Sequence, residues 1–212
     1  MSRPSLRRLT SLFGTNGRRT IVVLMVVAVG ALLAVPATAG AHVDKKHKAQ
    51  FRHALDVYGL TIGSWSHDFT LDLAMLTDME RQMRQALSAD PPNLENLRAI
   101  EEDAGRLHDM LNSFWKSAKP KMDKAIDRFY AKSLPWFKTK ADRSRLHQWT
   151  QALKGGFDTF LGDGLGNLSL AALALHDENF TVYGDKRAEA LTGDIIGEGG
   201  VDTALSGLKK LL

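Results

Sequence analysis

The chain has 212 residues, of which 44% are hydrophobic and 25% are charged. This balance is typical of a globular protein of one or two domains, and it disfavours a disordered chain and a polytopic membrane protein. The sequence contains no cysteine, which excludes disulfide scaffolds, thiolate metal centres and cysteine nucleophiles.

Residues 1–39 are predicted to be a signal peptide. Five arginines and no acidic residue precede a 15-residue apolar run, Ile21–Val35, and the small residues Ala37-Thr38-Ala39 follow it. A membrane-spanning helix needs roughly 20 apolar residues, whereas a secretory apolar region takes about 7 to 15. An uncleaved anchor is the alternative. Cleavage after Ala39 or after Ala41 fits, and Arg18-Arg19 leaves both Sec and twin-arginine export open. We therefore expect a secreted or extracytoplasmic protein, in a periplasm or cell envelope.

Removal of this leader changes the net charge. The whole chain carries +4, but five of its 28 basic residues lie in the leader, which leaves 23 basic against 24 acidic residues. The mature chain is therefore nearly neutral, and it contains no stripe of alternating aromatic and basic residues. We expect no binding to nucleic acid.

The first part of the mature chain predicts a long amphipathic helix from about Asp44 to Ser88. Alternating steps of four and three residues from Phe51 reach apolar side chains at ten of eleven positions, with Asp72 as the exception. The positions are Phe51, Leu55, Tyr58, Ile62, Trp65, Phe69, Asp72, Leu76, Met79, Met83 and Ala86. Asp90-Pro91-Pro92 then indicates a stop and a restart.

A second seam predicts an antiparallel helix from about Pro91 to Lys119. Its members are Leu97, Ile100, Ala104, Leu107, Leu111, Phe114 and Ala118. Pro120 lacks a hydrogen-bond donor, and the apolar set restarts one residue late at Met122, so we expect a separate helix over 121–133.

Five glycines between Gly155 and Gly166 predict a break in the next segment. In a helix interior they would cost on the order of 5 kcal/mol, so a loop is favoured between helices near 139–154 and 167–180. Residues 193–200 are predicted to be a further glycine-rich linker, followed by a short C-terminal helix. The fold class is therefore all-α, an elongated antiparallel bundle of long kinked helices. Its predicted divisions are a bundle domain over 40–192 and a linker with a docking helix over 193–212.

The predicted mature N-terminus is a candidate metal site. Cleavage after Ala39 would leave Gly40, Ala41 and His42, whose amine, two amide nitrogens and imidazole form a square-planar set suited to Cu(II) or Ni(II). Cleavage after Ala41 would instead offer the amine and imidazole of His42. No other cofactor is expected, and the remaining histidines are predicted to be structural.

Aromatic and glycine-rich segments supply a candidate contact surface for a membrane or a partner. Its residues are Trp136, Phe137, Phe157, Phe160 and Leu165. The first two follow a helix-breaking proline. The others lie in the glycine-rich apolar segment, which is predicted to be mobile and to insert shallowly in a membrane. Packing in the core is the alternative. A further alternative is an aromatic cleft for an apolar or sugar ligand, built from Trp65, Trp115, Trp136 and Trp149 with Phe129, Tyr130 and Phe137.

No nucleophile motif, phosphate-binding loop or HExxH sequence occurs. The sequence therefore favours binding over catalysis, and predicts an exported, non-enzymatic helical binding or scaffolding protein with an unknown protein or envelope partner. The alternatives are copper or nickel binding at the Gly-Ala-His terminus, and a membrane-associating or pore-forming protein. Self-association through the apolar seams stays open.

Overall fold

A computed structural model describes residues 43–212, which form an antiparallel four-armed helical bundle. The predicted signal peptide lies outside the described residues, as do Gly40, Ala41 and His42. The helices are α1 (Lys48–Ser88), α2 (Leu94–Ser133), α3 (Lys140–Thr159), α4 (Gly166–His176) and α5 (Phe180–Lys209). A six-residue π turn, Phe160–Leu165, joins α3 to α4, and these three elements make one arm. A 3₁₀ turn, Leu134–Trp136, follows α2. The prediction of an all-α bundle is confirmed.

The predicted seams form the core of the bundle. Eight of the eleven seam positions of α1 are buried, including Phe51, Ile62 and Phe69. On α2 the seam residues Leu97 to Leu111 are buried as well, and only Phe114 is 39% exposed. The apolar stripes of both helices are therefore covered within one chain, as expected if burial of apolar surface holds the fold together.

Short polar side chains mark the start of three helices. Asn93 Oδ1 accepts a hydrogen bond from Asn96 N (3.1 Å), and Asn179 Oδ1 accepts one from Val182 N (3.1 Å). Thr139 Oγ1 accepts from Asp142 N (3.0 Å) at the start of α3. These bonds satisfy backbone donors that have no partner inside the helix. Helix α2 thus begins at Leu94, three residues beyond the start predicted at about Pro91.

The predicted break at Pro120 is wrong, because α2 runs without interruption from Leu94 to Ser133. Proline has no backbone N–H, so the carbonyl group four residues before Pro120 has no donor within the helix. Pro120 is exposed, and water can reach that carbonyl group instead. The buried positions continue beyond it at Ile126 and Phe129. The one-residue slip in the apolar pattern is therefore accommodated within a single helix.

The predicted loop at residues 155–166 is also wrong, since this segment is helical throughout. Gly156 packs against the backbone of α5, where a Cβ would lie 2.6 Å from Val201 N. Gly164 faces the backbone of Asp194 in the same way. The cost of helical glycine is offset because two helices approach each other closely at these positions.

The predicted linker at 193–200 is likewise part of α5, and the C-terminal helix is a full arm of 30 residues rather than a short one. A Cβ on Gly193 would overlap the backbone at Asp163 and Gly164, and one on Gly197 would lie 2.5 Å from Phe160 N. Both glycines are buried. The glycines that predicted a linker thus form the contact between α5 and the π turn.

Candidate functional site: an apolar cleft with two carboxylates

A cleft of about 280 Å³ opens between α1 and α2, with the π turn as its floor. Its lining residues are Trp65, Asp68, Leu71, Asp72, Met110, Leu111, Phe114 and Leu165. Leu71 and Met110 remain 56% and 54% exposed. Exposed apolar side chains that line a concave site make that site a candidate for ligand binding. The volume suits a small ligand.

Aromatic packing holds the wall and floor of the cleft in place. The ring of Trp65 meets that of Phe114 edge-on, with centroids 5.6 Å apart, and stacks against Phe160 with centroids 6.3 Å apart. Phe160 is fully buried and belongs to the π turn. The π turn thus directs Phe160 and Leu165 towards α1 and α2, while Gly164 faces α5. A rigid aromatic wall is preorganised for a ligand because little side-chain freedom remains to be lost.

Two carboxylates stand at the rim of this apolar cleft. Asp68 and Asp72 are four residues apart on α1, so they share one face of the helix. Partial burial raises the pKa of Asp72 above its usual value, and the negative charge of Asp68 raises it further. Within residues 43–212 neither carboxylate has an ion pair or a hydrogen bond. The rim is therefore an uncompensated negative site beside an aromatic surface.

The structure does not bring the five predicted contact residues to an exposed surface. Phe137, Phe157, Phe160 and Leu165 are all at most 3% exposed, so the alternative of core packing holds for them. Trp136 is half-buried and stacks on His47, with ring centroids 4.7 Å apart. Only Leu165 lines the cleft, and it does so from the floor.

The histidines that the structure describes play packing roles where they meet other helices. His108 Nδ1 lies 2.8 Å from Ser169 O and 3.0 Å from Ser169 Oγ, while His176 Nδ1 lies 3.0 Å from Glu101 O. Both contacts pin α2 to α4. Ser169 is 1% exposed, so no substrate reaches this Ser–His pair. Across residues 43–212 no three metal-ligating side chains converge on a common point.

The sequence identified only part of this site. Of the aromatic residues in the predicted cleft only Trp65 lines this one, and Asp72 is the one interruption of the predicted α1 seam. The pattern does not distinguish Asp68, Leu71, Met110 or Phe114, since Phe114 fits the α2 seam and the others lie beside the seam of their own helix. The feature of the sequence that indicates the site is a carboxylate within an apolar seam, Asp72, with a second carboxylate, Asp68, one helical turn away.

None of the helices in the described part of the chain is both apolar enough and long enough to cross a bilayer. Comparisons with protein-family models, with curated proteins and with solved structures found no match to this chain.

Proposed function

We propose that this chain is an exported, non-enzymatic binding protein whose cleft takes a small ligand with an apolar body and a cationic group. The observation that carries the proposal is the pair of unpaired carboxylates at the rim of an aromatic cleft. An apolar body would cover Leu71, Met110 and Phe114, and a cation would neutralise Asp68 and Asp72. Trp65 adds a surface suited to cation–π contact.

Binding is favoured over chemistry by the composition of the cleft. Its eight lining residues supply only two charged side chains, and both are carboxylates. A nucleophile, a histidine base and a lysine are all missing from that lining set. Two like charges beside an aromatic wall recognise a cation, but they do not by themselves activate a nucleophile.

Calorimetric titration with hexyltrimethylammonium tests this function, because the probe combines a short apolar chain with a permanent cation. The matched probes are 1-hexanol, which is neutral, and hexanoate, which is negative. We expect affinity to fall in the order cation, alcohol, carboxylate. Each rim carboxylate is expected to contribute about 5- to 10-fold to binding of the cation, as for charges a few ångströms apart near a protein surface.

Asp68→Asn and Asp72→Asn are therefore expected to weaken binding of the cation and to leave binding of 1-hexanol unchanged. Asp56→Asn is the matched control, since Asp56 is an exposed carboxylate on the same helix outside the cleft. Phe114→Ala should weaken binding of both probes, because it removes apolar contact. Equal affinity for hexanoate and the cation, or loss of binding in the control as large as in the rim variants, would reject the proposal.

A further inference from the structure

A groove on the opposite side of α1, where that helix meets α5, has the reverse chemistry. Its lining includes Arg81 and Arg84 of α1 and Arg187 of α5, together with the hydroxyl-bearing side chains Thr70 and Thr77. We call it the basic groove. Asp78 and Glu80 also line it, so its charge depends on how these groups are paired.

Each carboxylate of the basic groove already has a partner. Asp78 accepts from Arg81 and from Gln82 Nε2, which lies 2.6 Å away. Glu80 Oε1 accepts from Arg84 Nε at 2.9 Å. Arg187 has no carboxylate partner among the described residues, and its Nε is buried with no hydrogen bond. One positive charge in the groove is therefore left over.

A second donor without a partner lies beside Arg187. The side chain of Tyr183 is 1% exposed, and its hydroxyl is buried with no hydrogen bond. Burial raises the pKa of Tyr183, so this hydroxyl keeps its proton. The nearest polar neighbour of this hydroxyl is the Thr77 side chain, which donates its own proton to Leu73 O at 2.8 Å and makes no hydrogen bond of normal geometry with Tyr183. Tyr183 and Arg187 are four residues apart on α5 and share one face of that helix.

The guanidinium group of Arg84 is held in place at the same site. It lies over the ring of Phe180, 4.3 Å from the centroid, while its Nε is bonded to Glu80. A ring and a carboxylate thus fix the plane of the guanidinium. Fixed guanidinium groups suit tetrahedral oxyanions, which accept several charge-assisted hydrogen bonds at once.

From these contacts we infer that the basic groove binds a phosphate group, with Arg187 and Arg84 as its cationic ligands and the Tyr183 hydroxyl as a further donor. The phosphate oxygens satisfy the two buried donors that the protein leaves unpartnered, and unsatisfied buried donors are costly. Free phosphate and the headgroup of a phosphate-bearing lipid share this chemistry. The inference is independent of the cation-binding cleft, which lies on the other face of α1.

The test is calorimetric titration of the protein with inorganic phosphate at pH 7.5, with ionic strength held constant by sodium chloride. We expect a dissociation constant of about 1 mM or lower, as two or three charge-assisted hydrogen bonds allow. Arg187→Gln should weaken binding at least 10-fold and Tyr183→Phe about 3- to 5-fold. The matched control is Arg52→Gln, which removes an exposed arginine of α1 outside the groove.

Flotation with vesicles of phosphatidylcholine containing phosphatidic acid distinguishes the two sources of phosphate. Flotation that Arg187→Gln abolishes identifies a lipid headgroup, whereas binding of inorganic phosphate without flotation identifies a soluble ligand. Tyr183→Phe removes one oxygen atom and keeps the packing, so it remains informative if Arg187→Gln fails to fold. The inference is overturned if phosphate does not bind, or if Arg52→Gln weakens binding as much as both groove variants do.

Discussion

Gly197 of α5 lies directly against the backbone of Phe160, so that a Cβ on Gly197 would stand 2.5 Å from Phe160 N and 2.6 Å from its Cα. The same Phe160 supports Trp65 in the wall of the cleft. The position of the cleft wall thus depends on a glycine in another arm of the bundle.

Gly197→Ala is therefore expected to destabilise the fold by about 1–3 kcal/mol, because the added methyl group must push two packed backbones apart. Thermal unfolding followed by circular dichroism measures the effect. Gly199→Ala is the control, since nothing lies within 4 Å of a Cβ at that position on the same helix. It should stabilise by about 0.5–1 kcal/mol, from helix propensity alone. Equal effects of the two substitutions would contradict the close packing.

Asp72→Asn is expected to stabilise the unliganded protein at pH 7. The pKa of Asp72 is raised by burial and then by Asp68, so in the folded state this carboxyl binds a proton at a higher pH than it does when unfolded. Native stability is therefore gained as pH falls through the raised pKa towards 3.8, and is lost as pH rises through it.

The gain in unfolding free energy that Asp72→Asn gives over the original protein should accordingly be largest above the raised pKa of Asp72. It should shrink as the pH approaches 3.8. Melting temperatures of both proteins between pH 3.5 and about 7 test this sign. The control is Asp56→Asn, which lies outside the cleft. An advantage that grows on acidification would mean that Asp72 is stabilised in its charged form by a partner.

Tyr183→Phe should stabilise the unliganded protein by about 1 kcal/mol, because it removes a buried hydroxyl that has no hydrogen-bond partner. Chemical denaturation measures the change. Tyr130→Phe serves as the control, since Tyr130 is only half-buried and is expected to change stability little. Destabilisation by Tyr183→Phe would show that its hydroxyl is bonded in the folded protein.

Mass analysis of the exported protein tests the predicted leader. Cleavage after Ala39 gives a chain that begins at Gly40, and cleavage after Ala41 gives one that begins at His42. The first product should give a visible Cu(II) absorption band that is lost on His42→Ala. Recovery of the chain with its arginine-rich leader attached would favour the anchor instead.

Helix positions were predictable where side chains of one helix repeat on one face. The seam from Phe51 to Met83 encodes burial locally, and the structure buries it. The errors at Gly156, Gly193 and Gly197 share a different cause. A glycine that ends a helix and a glycine that admits a second helix look alike in sequence, because the backbone that decides between them lies tens of residues away.

The candidate sites follow the same rule. Asp72 was visible as an irregularity in its own helix, but the cleft also needs Met110 and Phe114 from α2 and Leu165 from the π turn. Likewise, Arg187 stands out only when Tyr183 and the paired carboxylates of α1 are seen beside it. Residue types in one helix predict a face, whereas a site depends on which faces meet.

The π turn between α3 and α4 fixes the angular phase of everything that follows it in that arm. Each residue of a regular helix advances about 100° around the axis, and a π turn accommodates one extra residue. Because the wider winding of the π turn absorbs that residue, deletion of Gly162, which has open space beside it, would restore regular winding and leave the angular position of α4 unchanged. Ser169 would still face His108. A deletion within the regular part of α3 would instead rotate everything after it by about 100°. The π turn therefore lets the arm carry an additional residue while each half keeps its own neighbour.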